Sequence, residues 1–252
     1  MTHATQRVFS FVLCAFFVFK KVYYCDGQFL SYRNDQSFLP VPFPTCIAED
    51  IDCLRRGLRT FFILMDSNHL GMKPVDPLII NSVAISYEDQ QTSFLLRRVN
   101  VTGARWSKLI ERRINVGERR NSAIFSSDLH ITGDLFMSTP DRLEPIVAYL
   151  TMDIYAVESN ISYSWSFERG IDNEDYLLMG PERVAVRNTR IPSFYLQPKS
   201  QDVNILEQAL IIKPTVLEHL SNEITTSLIH SIIDNFRLFS SRVPVKYYYK
   251  YK

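Results

Sequence analysis

No cysteine follows Cys53 in a chain of 252 residues, and of the four present only Cys46 and Cys53 stand clear of the apolar start. A metal centre at this pair lacks partners, because no further ligands lie close by at tetrahedral spacing. In an oxidising compartment the plain reading of PTCIAEDIDCL (44–54) is a disulfide closing a short loop at the start of a helix. A loop so short gains about 2 kcal/mol at most. Catalytic signatures are missing as well: there is no G-x-S-x-G elbow, G-x-G-x-x-G, P-loop or H-E-x-x-H. His69, His130, His219 and His230 are scattered. His130 falls on the polar parity of a strand, and His219 and His230 are too far apart on a helix to share a metal. Asp76, in VDP, reads as a turn residue. These absences leave no catalytic residue, metal ligand or cofactor to name. An excess of one charge is lacking too, at a formal +1. The short pairs Arg97-Arg98, Arg112-Arg113 and Arg119-Arg120 read as solvated faces, which argues against a nucleic-acid partner.

What is present begins with a leader. In MTHATQRVFSFVLCAFFVFKK, Arg7 precedes an apolar run from Val8 to Phe19. As a helix that run would span about 18 Å, too short for a membrane core, and it has the profile of a signal peptide over residues 1–25. No later segment approaches a membrane span, so no membrane anchor is expected, and the mature chain is expected outside the cell. Losing Arg7, Lys20 and Lys21 takes the formal charge from +1 to about −2. The sequons at Asn100 and Asn160 agree with secretion.

Residues 47–65 place Ile51, Leu54, Leu58, Phe61 and Phe62 on one helical side. After the punctuation MKPVDP, the patterning changes to period two. Val83, Ile85 and Tyr87 alternate with small polar residues, and Leu129, Ile131 and Leu135 alternate with Asp128, His130 and Thr132. In NISYSWSFERG (160–170), serines hold one parity while Ile161, Tyr163, Trp165 and Phe167 hold the other. Asn160 shares the serine face. The aromatic face suits either a packed core or a bound molecule, and the donors on Tyr163 and Trp165 need partners if buried. From Thr215 to Phe239 the period returns to three and four, which predicts a helix about 37 Å long and apolar over most of its circumference. A long apolar helix and a one-sided sheet have to bury each other. A sheet curved around the helix leaves tapering space at an end.

The order PTCIAEDIDCL, PVDPLIINSVAIS, FLLRRVNVTG, SDLHITGDL resembles the insect haemolymph juvenile hormone-binding and takeout proteins, over roughly residues 39–245 and most strongly over 46–137. The resemblance implies an α+β, TULIP-like fold: a highly curved antiparallel sheet wrapped around a long C-terminal helix, with an elongated apolar tunnel. It implies binding and transport of a terpenoid or other lipid-like ligand, without catalysis, and puts the hormone-bonding tyrosine of those relatives at Tyr163. Two departures stand out. The second disulfide of the haemolymph carriers has no counterpart, since the matching strand reads Val184–Val186, and KSQDVNILEQ (199–208) matches poorly.

The expectation is therefore a secreted monomeric carrier. It would comprise a signal peptide (1–25), a lipid-binding domain (26–245) and a basic-aromatic tail (246–252). The ligand would be juvenile hormone or a related terpenoid or lipid, held by Tyr163, Trp165, Ile161 and Phe167. The rivals are a secreted ester or lipid hydrolase, and an interaction protein with a vestigial lipid slot whose tail VPVKYYYKYK touches anionic surfaces.

Overall fold

The computed structural model describes residues 39–87 and 92–250. The chain divides into the units Met1–Pro42 and Phe43–Lys252. Of the first, only residues 39–42 are described, so the expected signal peptide, with Cys14 and Cys25, lies outside the described residues. The rest concerns the second unit.

Helix α1 (Ile51–Asp66) starts where Asp50 accepts a hydrogen bond from the Cys53 amide at 2.8 Å. That satisfies an amide that the first helical turn leaves without a partner. Its buried stripe includes Gly57, Phe61, Phe62 and Met65. Cys46 and Cys53 form the expected disulfide, which ties the preceding loop to the first turn. The Asp76 carboxylate then accepts from the amides of Gly103 and Arg105, at 3.2 and 2.9 Å, and pairs with the Arg105 guanidinium. The turn reading of Asp76 thus acquires a purpose: it pins the chain before the first strand to the end of the second.

Seven antiparallel strands follow: β1 (Leu78–Tyr87), β2 (Thr92–Thr102), β3 (Lys108–Asn115), β4 (Arg120–Ser138), β5 (Ile146–Arg169), β6 (Asp175–Arg187) and β7 (Ser193–Pro198). Helices α2 (Val203–Ile212) and α3 (Thr215–Ser240) complete the unit. The long strands β4 and β5 form the spine and each is shared by two neighbours. β3 pairs with the first part of β4 and β2 with the last, while β7 pairs with the first part of β5 and β6 with the last. One half of the sheet therefore runs β1-β2-β4-β5-β7 and the other β3-β4-β5-β6. The sheet curls around α3, which packs on β1, β5 and β6, and α1 lies on β3.

Which side chains face α3 depends on a bulge. Ile146, Ala148, Leu150, Met152 and Ile154 are buried, all of even parity; beyond Ala156 the buried residues are Val157, Ser159 and Ile161, all odd. Against β4 the register shifts between Ser127 and Leu129, where β5 carries the extra residue. Ala156 takes a left-handed φ of 50°. Its amide donates to the Asp128 carboxylate at 2.7 Å, and Thr189 donates to its carbonyl at 3.0 Å. An added residue switches the strand's inward parity. Without it, Ile161, Tyr163 and Trp165 would turn to the outside.

The first half is solidly filled. Leu96, Ile131, Leu135, Leu150, Leu206, Leu217, Leu220 and Ile224 are all fully or almost fully buried. On its outer face Asp134, only 4% exposed, accepts from Arg98 Nε at 2.8 Å and from Lys199, joining β2 and β4 to the residue just past β7. The Lys199 hydrogen bond, with help from Arg98, holds its carboxyl below the ordinary aspartate value against the opposing effect of burial.

Two outcomes test this account. Ala156→Gly is tolerated without loss, whereas Ala156→Val, a branched residue at positive φ, lowers stability by about 2 kcal/mol in urea unfolding. Asp134→Asn loses about 2 kcal/mol at neutral pH. Because the folded carboxyl titrates below its unfolded value, the wild-type advantage is complete above the ordinary aspartate range and fades as pH falls through the depressed value. Unfolding curves for both chains across that range should converge at the acid end.

Candidate ligand cavity

In the β3–β6 half the sheet and helix do not meet fully, and a cavity of about 260 Å³ lies between them. One wall is the inner face of the sheet: Leu109, Ile114, Ala123, Phe125, Leu177 and Met179, with the aromatic row of β5. The facing wall comes from Ile232, Ile233 and Phe236 of α3 and from Leu54, Leu58 and Phe61 of α1. Phe61 meets Phe236 edge-on at a centroid distance of 5.8 Å and Phe239 at 5.7 Å, so the two helices share a rigid aromatic contact.

Val245, Tyr248 and Tyr249 also line the cavity. Residues through Lys250 thus differ from the separate tail expected from the sequence. The Cys46 amide donates to the Tyr248 carbonyl at 3.2 Å, and the Lys250 amide donates to the Cys46 carbonyl at 2.8 Å, a short parallel bridge. The disulfide loop and the chain's last described segment form one wall. Basic-aromatic composition reads as an exposed end until the backbone hydrogen bonds that bind it to Cys46 are known.

All four residues expected at the site line the cavity. Ile161 is buried against Ile229 and Ile233, Trp165 and Phe167 lie with ring centroids 5.0 Å apart, and Phe167, at 39% exposed, is at the margin. Tyr163 stands beside Asn121, its direct cross-strand partner. Asn121 is 5% exposed; its Nδ2 donates to the Tyr163 hydroxyl, and its Oδ1 accepts from Arg112 Nε at 3.3 Å. Since the phenol oxygen accepts from Asn121, its own O–H is the donor it can present to a guest. Burial pushes the Tyr163 phenol above its ordinary value, with the Arg112 charge and the Asn121 hydrogen bond pulling the other way, so the hydroxyl keeps its proton. The Asn160 side chain is exposed, while Asn100 is half-buried with its Oδ1 enclosed.

Arg112 and Asn121 were not legible as site residues. Arg112 sits in an arginine pair of ordinary surface composition, and Asn121 precedes the stretch where alternation is obvious. Extending the odd parity of Leu129 and Ile131 back through Phe125 and Ala123 reaches Asn121, which marks it as a polar residue in an inward row.

An antiparallel sheet curled around a C-terminal helix, with an apolar cavity at one end and a single polar relay, defines the class of this protein. No protein-family model matches the chain. A juvenile hormone-binding protein of Manduca sexta is 22% identical over 172 residues, 67% of this chain and 73% of its own. Takeout 1 of Epiphyas postvittana superposes with a TM-score of 0.68 at 14% identity, over 82% of this chain and 100% of its own. A lipopolysaccharide binding protein reaches a TM-score of only 0.42 at 8% identity, over 77% of this chain and 38% of its own, and carries no argument. The first two matches bear out the resemblance to the juvenile hormone-binding and takeout family, and the fold is theirs.

Trp165 allows a direct check of the cavity, because the other tryptophan, Trp106, is 72% exposed. In a Trp106→Phe background, emission from Trp165 should shift or be quenched when an apolar probe is titrated in. Emission that ignores every such probe would mean that the space admits none.

Proposed function

We propose that this protein is a secreted carrier of a small hydrophobic molecule, juvenile hormone or a related terpenoid or lipid, held in the cavity against Tyr163. The observation that carries this reading is the unfilled space at the aromatic end of β5, bounded almost wholly by apolar side chains. Pockets of this composition take mostly apolar ligands and use a few polar groups to set orientation. The Manduca sexta relative is itself named for binding juvenile hormone, which supports the ligand class. A guest of ~20 heavy atoms at ~0.3–0.5 kcal/mol per atom would bind with roughly 6–10 kcal/mol. Apolar burial supplies most of that, and the Tyr163 hydroxyl selects for an acceptor oxygen. Trp165, Ile161 and Phe167 shape the wall. The same reading takes residues 1–25 as a signal peptide and the remainder through Lys250 as the lipid-binding domain. It takes Asn160, exposed on the outer face, as the sequon better placed for a sugar.

Tyr163→Phe is the test. It should weaken binding of oxygen-bearing terpenoids about fivefold, the worth of one neutral hydrogen bond, and leave pure hydrocarbons of equal size unaffected. Titration calorimetry reads both. Native mass spectrometry of the secreted chain should show a retained lipid. Equal binding of every terpenoid by both chains would remove Tyr163 from the site.

A further inference from the structure

We propose that the preferred guest carries a carboxylate, gripped by Arg112 together with Tyr163. This rests on the carrier reading and narrows its guest, within the terpenoids and lipids, from esters to free acids.

Among the described residues lining the cavity, Arg112 is the one with a permanent charge, and no Asp or Glu is present. The adjacent Arg113 is paired with Glu111. Arg112 has no carboxylate partner among the described residues. It is half-buried, held by its Nε hydrogen bond to the neutral Asn121 amide and by the Tyr249 ring, whose centroid is 5.7 Å from the guanidinium carbon. Both contacts fix the guanidinium against the wall without neutralising it.

A partly buried cation without an anion is an unfavourable arrangement, relieved when a counter-charge arrives. The planar N–H fork left after the Nε bond suits a carboxylate. Asn121 links the guanidinium to the Tyr163 oxygen, so the two donors are set on one side of the cavity at a fixed separation. An ester, ether or alcohol would engage the phenol and leave the guanidinium unmatched. A carboxylate engages both. The field of Arg112 also reaches the Tyr163 phenol, where it favours negative charge.

The experiment is calorimetric titration of the purified chain at neutral pH with lauric acid, methyl laurate and dodecanol. These probes share one hydrocarbon tail and differ in the head. Lauric acid should bind at least about tenfold more tightly than its methyl ester. Arg112→Gln should bring the acid down to the level of the ester and leave the ester unchanged, and Arg112→Lys, which keeps the charge but not the fork, should retain part of the preference. An acid no tighter than the ester on the native chain would overturn the inference. So would an Arg112→Gln variant that weakens all three alike, since Arg112 would then only shape the wall. In either case, binding of the ester leaves the carrier reading intact; failure of all three probes to bind would remove both.

Discussion

The sheet presents apolar side chains inward from both halves of β5, which runs for 24 residues. A regular strand offers one parity only, and the sequence of β5 changes parity near its middle. The left-handed Ala156 reconciles the two by inserting one residue against β4, with the Asp128 carboxylate and the Thr189 hydroxyl holding the insertion. Both halves of the strand then face the same helix. The solid packing of one half and the aromatic lining of the other follow from that single irregularity.

The two halves are built from different side chains for different ends. Where the sheet runs β1-β2-β4-β5-β7, aliphatic residues of the strands and of α3 are almost fully buried together. Where β3 and β6 flank it, the inward residues include the aromatics Tyr163, Trp165 and Phe167 on β5, and Ala123 and Asn121 beside Phe125 on β4. Tyr163 stands opposite Asn121 and Ile161 opposite Ala123, and space remains between this face and α3. The disulfide loop and the segment through Lys250 are joined by backbone hydrogen bonds, and Cys46, Val245, Tyr248 and Tyr249 line that space.

The polar relay interrupts a mostly apolar wall. Arg112, Asn121 and Tyr163 come from three successive strands of the sheet, and only the registers β3 to β4 and β4 to β5 bring them together. Within it Asn121 is bonded on both sides, accepting from Arg112 and donating to Tyr163. A guanidinium and a phenolic O–H at its two ends are donors, so what it lacks is an acceptor. An apolar guest bearing oxygen would supply one.

Local patterning was enough to determine the one-sided strands, the long C-terminal helix, the cysteine pair and the inward set Ile161, Tyr163, Trp165 and Phe167. Each of these rests on periodicity or spacing within a few turns or a few pleats, where the covalent chain dictates which side chains share a face. Tertiary structure alone decided that Asn121 and Arg112 stand beside Tyr163, that Tyr248 and Tyr249 wall the cavity, and that a volume stays open. The physical reason is that those contacts depend on register and on a single-residue bulge. They sum small differences in packing between segments far apart in the chain, as in the Thr45 hydrogen bond to the Tyr247 carbonyl across 202 residues. No local window contains that information.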